Sequence, residues 1–363
     1  MDKFTALCLT FLFSSFLGTA QVNKQLVLGY NRLINDAQLK ICEGAFKEAD
    51  NLYAKAFLVN PDKPFSRDLF TAFHCAMDVS NYNAAENYLK ILLDRGLNSK
   101  FIDGMILDFY TGENRDTITS MIKKHKNNID KRDALNSTIL NMYNKDQKVR
   151  AYFAHIETNG DYMTDSVYKV DSENSYQLFQ IIQQLGHLPN ENEIRNIEDF
   201  ALAGSYMDII TKHNILNYSQ NKQISFFDTV LYNSIFSFDY PANTFASLLS
   251  RCYLNNESYI FSHGGTTIKF PISIVICNNI DDNGKPYFKR MPMEEEIRIN
   301  KERGQLGLST IQELRRKTYF SYLQRLNNGK YFAIKDGAIV YIDMNSQEIQ
   351  DELQNNEIYE YKP

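Results

Sequence analysis

A mainly α-helical chain follows from three features of its sequence. Apolar residues recur at steps of three and four along most of its length, two segments thirty-six residues apart share a small-residue pattern, and only short stretches near the end are rich in β-branched residues. The architecture expected is a set of tetratricopeptide-like helical hairpins followed by a helical domain with small β-hairpin additions. In chain order this gives a leader over 1–20, a tetratricopeptide-like region over 21–130, a helical domain over 131–315, and a C-terminal helix, β-hairpin and polar tail over 316–363.

The leader is read from its three-part layout. Lys3 supplies the charged start, Leu7 to Leu17 is an apolar run broken only by small polar residues, and Gly18-Thr19-Ala20 places small residues before Gln21. The pattern is that of a secretory signal peptide cleaved after Ala20. Its apolar run is too short for a membrane span, and Cys8 lies inside the run with no lipobox at its end, so no lipid anchor is expected. Nowhere later is the chain apolar for long enough to cross a bilayer. A periplasmic or extracellular protein without a transmembrane segment is the expectation.

Cleavage would remove Asp2 and Lys3 together, so the mature chain keeps the formal net charge of −5. The two basic runs, Lys123-Lys124-His125-Lys126 and Arg315-Arg316-Lys317, lack interleaved aromatics and read as solvated helix faces, which argues against a nucleic-acid partner. Cys42, Cys75, Cys252 and Cys277 remain after processing, with no Cys-x-x-Cys pair. Export permits disulfides, but a chain this long can bury an adequate core without them, so free buried thiols are expected.

In the first helical region Phe46, Ala49, Tyr53, Ala56 and Pro61 occupy relative positions 1, 4, 8, 11 and 16, the second-helix pattern of a tetratricopeptide repeat. Gly44 marks the turn before this helix, and Ala37 stands where the first helix needs a small residue. Tyr82, Ala85, Leu89 and Leu92 repeat the pattern, with Ala76 on the preceding helix; this copy lacks the small residue at Leu92 and the closing Pro. Helix pairs of this kind either present a concave surface to a peptide or protein partner or cap a larger helical body.

A second unit begins near Asp130. Asp133 is placed to cap a long helix whose inward face runs through Leu135, Ile139, Met142, Asp146, Val149, Phe153 and Ile156, ending near Gly160. Ser172 to Leu185 forms the next helix, stopped by Gly186-His187-Leu188-Pro189. Another runs through Leu202, Tyr206, Ile209, His213 and Leu216, then one through Phe227, Leu231 and Ile235. Asp239-Tyr240-Pro241 starts a helix through Phe245, Leu248 and Cys252, with Pro tolerated at its beginning. Ile268 to Cys277 and Tyr287 to Lys289 flank the turn signal Asp282-Asn283-Gly284 and predict a β-hairpin. Met293 to Arg303 is again helical. Ser309 with Gln312 predicts a capping box for a helix through Leu314, Tyr319 and Leu323, ended by Asn327-Asn328-Gly329. Tyr331 to Ile334 and Ala338 to Ile342 predict a second hairpin about Lys335-Asp336-Gly337, and the last fifteen residues are expected to be polar and loosely held.

Asp146 is the residue that packing explains least. It interrupts an apolar seam, where an ionised carboxylate needs a partner, and Arg150 one turn later can supply it. The candidate binding or polar site gathers Asp146, Gln147, Arg150, Asn174, His213, Arg251 and Arg303. A purely structural ion pair, and a core histidine at 213, are the plain alternatives.

Asp146-Gln147-x-x-Arg150, Asp171 with Asn174, Gly186 with Pro189, His213, Arg251, Gly265-Thr266 and Arg303 with Gly307-Leu308 follow one another in that order. This succession resembles an uncharacterised bacterial domain family marked by an Asp-Gln-x-x-Arg helix, a central His, an Asp-Arg pair, a Tyr-Gly-Thr element and an Arg-x-x-x-Gly-Leu ending. The resemblance covers about half the chain, from near Leu135 to Leu308, and implies no activity. Ser250 stands in place of the family's Asp before Arg251, and His263-Gly264-Gly265-Thr266 replaces the Tyr-Gly-Thr element.

Familiar catalytic signatures are missing from the sequence. There is no Gly-x-Ser-x-Gly elbow, phosphate loop, Gly-x-Gly-x-x-Gly turn or His-x-x-x-His pair, and His74, His125, His155, His187, His213 and His263 are scattered. No cofactor and no metal are expected. Two function classes remain. One is an exported helical protein binding a peptide or protein partner. The other is a hydrolase-like enzyme in which Asp146 and His213 act as acid and base while Arg150 or Arg303 holds an anionic group.

Overall fold

The computed structural model describes residues 3–62, 64–97, 102–104, 106–125, 134–154, 161–194, 206–220, 226–255, 260–263, 266–268, 274–277, 287–326, 332, 334, 339–342 and 346–361. Within these, the side chains of residues 3–22, 152–154, 161–164, 206, 208, 217–220, 251, 253–255, 274–277, 325–326, 339–342 and 346 lie outside the description. Helices dominate. They are α1 (Lys3–Cys42), α2 (Phe46–Val59), α3 (Ser66–Asp78), α4 (Tyr82–Asp94), α5 (Gly112–His125), α6 (Ala134–Ala154), α7 (Asp161–Leu185), the one-turn α8 (Glu191–Ile194), α9 (Tyr206–Gln220), α10 (Phe226–Phe236), α11 (Ala242–Asn255), α12 (Met293–Gln305), α13 (Ile311–Leu326) and α14 (Ser346–Gln354). Among the described residues no helix is long and apolar enough to cross a membrane.

The first helices pack in succession, α1 on α2, α2 on α3, α3 on α4 and α4 on α5. Small side chains allow these close crossings: Ala37, Ala49, Ala56, Ala76 and Ala85 are fully buried beside Tyr53, Phe70, Phe73 and Leu89. The polar groups enclosed there are mostly paired. Tyr30 Oη donates to Asp68 at 2.7 Å, and His74 Nδ1 lies 2.8 Å from the Tyr110 hydroxyl. Cys42, Cys75 and Cys252 are free thiols.

A second core lies within α6, α7 and α9 to α13, with α6, α7 and α9 in mutual contact. Helix α1 serves both cores, giving Val27 to this one and Tyr30, Ile34 and Ile41 to the first. Arg95 and α8 stitch the halves together. The buried Arg95 guanidinium donates to the Pro64 carbonyl, Ser66 Oγ, Asn192 Oδ1 and Glu191 Oε2, and Glu191 also accepts the Ser66 N–H at the start of α3. An acidic group at a helix N-terminus satisfies a free backbone donor and suits the helix dipole.

The expected β additions form differently in part. β3 (Ile274–Cys277) pairs antiparallel with β4 (Tyr287–Lys289), as the turn signal predicts; that turn lies outside the described residues. β5 (Ile339–Ile342) pairs in parallel with β3 rather than with Phe332 or Ile334, the described residues of the expected partner strand, and β6 (Ile358–Glu360) pairs with β4, giving the order β5-β3-β4-β6. Phe332 and Ile334 are drawn instead into the first core, where Phe332 stacks on Phe46 at 5.6 Å. Hydrophobic burial of these two side chains outweighs the local hairpin signal. The polar tail is likewise ordered as α14 and β6, because Ile349 and Ile358 close a small core with Tyr287. A separate hairpin, β1 (Phe261–His263) with β2 (Thr266–Ile268), buries Phe261 and Ile268 against the second core.

Three local expectations shift. The capping box of α13 is Thr310 with Glu313, whose side chains reciprocally accept each other's backbone N–H, one position after the expected Ser309 and Gln312. Arg315 and Lys317 are buried rather than solvated. Arg315 pairs with Glu296 at 2.9 Å and lies over the Tyr359 ring of β6, while Lys317 donates to Asn35 of α1. In α9 the buried face is Met207, Ile210, Thr211 and Ile215, so His213 stands at its edge rather than on its centre line.

Candidate functional site

Helices α6, α7 and α9 bring one carboxylate-rich cluster together. On α6 the buried face runs through Ile139, Met142 and Asp146, so the carboxylate points where an apolar residue would. On α7 the matching face runs through Asp171, Asn174, Ser175, Leu178 and Ile182, all buried. His213 reaches across from the edge of α9.

Asp146, only 1% exposed, is the hub. Its Oδ1 lies 2.8 Å from His213 Nδ1, Arg150 Nε donates to its two oxygens at 3.2 and 3.3 Å, and Gln147 Nε2 donates to Oδ2 at 2.7 Å. Arg150 then extends to α7, where Nη2 donates to Asp171 Oδ1 at 2.6 Å. Asn174 fixes the α6–α7 spacing by donating to the Met142 carbonyl at 3.0 Å. Ser175 Oγ donates to the Asp171 carbonyl and accepts from Asn214 of α9, so a second set of bonds joins the same helices.

Burial pushes the Asp146 carboxyl up, but the hydrogen bond and charge of His213, then Arg150 and Gln147, outweigh it and hold the group below its ordinary value. An ionised carboxylate only accepts, so His213 Nδ1 carries a proton, and in the neutral ring the lone pair is left on Nε2. The Asp146 contact thus sets the tautomer of a half-buried His213 whenever the ring is neutral.

Asp146, Asp171 and His213 also offer three ligand atoms within 4.8 Å of one another, a donor set suited to a divalent transition metal. Arg150 already supplies a cation to both carboxylates at hydrogen-bond distance. The residues therefore fit an ion-pair network better than a metal centre.

Of the residues the sequence singled out, Asp146, Gln147, Arg150 and His213 meet, and Asn174 supports them. Arg303 does not join. It is buried where α12 turns into α13, donating to Ser309, and lines a different cavity. Arg251 lies on α11 with its side chain outside the described residues. Ser175 and Asn214 are additions, and Asp171, quoted in the family-like succession but not among the candidate site residues, joins the cluster. The signal for Asp171 was the one that exposed Asp146, a polar residue in register with buried Leu178 and Ile182.

Comparison of the chain with protein-family models, with curated proteins and with solved structures finds no match.

Proposed function

We propose that the chain is an exported helical protein that binds a peptide or protein partner through its first helices, and that the Asp146 cluster holds the second helical unit in shape. The observation that carries this reading is an open groove of about 360 Å³ between α4 and α5, lined by Tyr82, Glu86, Thr117, Ser120, Met121 and Lys124. Tyr82 is 37% exposed at its edge, an aromatic anchor of the kind that dominates recognition surfaces. Glu86, paired with Lys124 and His125, sets an ionic rim. Fully buried Ala49 and Ala85, thirty-six residues apart, support the tetratricopeptide-like reading, and such hairpins present ridged surfaces suited to extended partners. The charged start, apolar run and small residues before Gln21 support export to the periplasm or beyond.

The test has two arms. Mass spectrometry of the protein from its native envelope fraction gives a mature N-terminus at Gln21; an intact Met1 in the cytoplasmic fraction contradicts export. A photoreactive phenylalanine analogue at position 82 gives one discrete protein adduct in that fraction, whereas the same analogue at exposed Tyr176 does not. Equal adducts from both positions contradict the groove.

A second reading, a hydrolase-like enzyme, is favoured by the Asp146–His213 bond, which leaves Nε2 as a base. Arg303 has no part in it, and Arg150 is engaged by two carboxylates rather than presented to an anionic substrate. On this reading the mature protein cleaves activated esters or phosphoesters, and His213→Asn abolishes turnover while the fold persists. No turnover by the wild type contradicts it.

A further inference from the structure

The cleavage after Ala20 that export would require falls within α1, and it would leave Gln21 as the first residue of the mature chain. The stretch of helix just beyond is not enclosed. Asn23, Gln25 and Leu26 are exposed, and burial begins at Val27, 2% exposed. About six residues, roughly 9 Å at the α-helical rise, separate the new terminus from the first buried side chain. The turn that follows the cleavage point is thus open to solvent and to an enzyme acting on the terminus.

Along α1 the charges nearest that point have one sign. Lys24 lies one turn on, its Nζ 5.3 Å from the centre of the Phe236 ring, and the first acidic residue of the mature chain is Asp36. An α-ammonium on Gln21 would add a second cation at the end of α1 where the helix dipole is positive, a placement the dipole disfavours.

Glutamine at a chain start carries the means to remove that charge. Its α-amine and its side-chain amide belong to one residue, so their reaction is unimolecular and closes a five-membered lactam. From asparagine the same closure would give a strained four-membered ring.

We infer that Gln21, once freed, cyclises to pyroglutamate, so that the mature protein begins with a neutral lactam; this presupposes the export cleavage proposed above. The α-amine nitrogen attacks the side-chain carbon Cδ, a C–N bond forms, and the Cδ–Nε2 bond breaks. Nε2 leaves as ammonia, taking one proton from the α-amine. Nothing is oxidised and no co-reactant is consumed. The product lacks the terminal cation and offers no free α-amine to an aminopeptidase, which protects the exposed residues ahead of Val27.

The test labels free amines on the intact protein, taken from its native envelope fraction, by reductive dimethylation before digestion and mass spectrometry. The N-terminal peptide is expected to begin at Gln21, to carry no label on its α-nitrogen and to be lighter by one ammonia. Pyroglutamyl aminopeptidase, applied before labelling, then exposes Val22 to the reagent. Gln21→Ala, which keeps small residues at the cleavage point, is expected to give a labelled terminus. A labelled Gln21, or a start beyond it, overturns the inference and leaves export standing. A blocked terminus in Gln21→Ala shows a different modification and also overturns it. A chain that still begins at Met1 overturns both the cyclisation and the export on which it depends.

Discussion

Asp146 and His213 stand on different helices, sixty-seven residues apart in sequence, and share a hydrogen bond of 2.8 Å at the edge of the second core. The bond gives an enclosed carboxylate a partner that Arg150, from its own helix, cannot supply alone. It also crosslinks α6 to α9, while Arg150 crosslinks α6 to α7 through Asp171. One acid thereby fixes the relation of three helices.

Arg150 serves two carboxylates, so its removal takes a cationic partner from each. Arg150→Ala is expected to destabilise by about 2 to 3 kcal/mol, just below the range for a fully buried pair because this side chain is partly solvent-facing. A double-mutant cycle with Asp146→Ala gives a coupling energy of about 1 kcal/mol or more in urea unfolding. Coupling near zero shows two independent charges.

Acid stability carries the signature of Asp146. Its folded pKa lies below its unfolded value of about 3.9, so the folded state binds this proton less readily than the unfolded one. The contribution is complete above about pH 4 and is lost as pH falls through the depressed folded pKa. Asp146→Asn therefore lowers the urea midpoint at pH 6 and flattens its decline below pH 4. Parallel curves for the two proteins contradict the assignment.

Ala49 is fully buried beside Tyr53 and Ala56, in a core that also holds Ile41 and Phe73. Ala49→Leu forces a larger side chain into this crossing and costs about 1 to 3 kcal/mol by overpacking. Thermal or urea unfolding measures it, and a neutral result contradicts close packing of the hairpin.

Gly307→Ala tests the joint between α1 and the α12–α13 turn. The strained φ and the contacts with Leu28 and Asn31 together give an expected loss of about 1 to 3 kcal/mol. Unchanged stability shows that the turn moves away from α1 at little cost.

The helical plan was legible because burial follows residue spacing. Met142, Asp146 and Val149 mark an inward face, and Gly186 stops α7 in the left-handed conformation only glycine adopts freely. The polar cluster was half legible. Asp146 and Arg150 announce each other at one turn's separation, but Asp171 and His213 meet them only through the packing of three helices, which no local spacing encodes. For the same reason Arg303 looked like a fourth member and lies elsewhere. The β pairing failed where local turn signals competed with distant burial: Phe332 and Ile334 left the expected hairpin for the first core. Arg315 and Lys317 read as solvated because their partners, Glu296 and Asn35, come from other helices.

The groove between α4 and α5 is the surface on which the proposed partner would sit. Selection of peptides from a random displayed library on the mature protein, followed by titration calorimetry of the enriched sequence, tests it directly. Tyr82→Ala and Met121→Glu are expected to weaken that peptide's affinity by about tenfold or more, the effect of losing an anchor residue. Ser172→Ala, at an exposed position outside the groove, is expected to leave it unchanged. Enriched peptides that bind Tyr82→Ala and Met121→Glu as tightly as the wild type would contradict a partner surface in this groove.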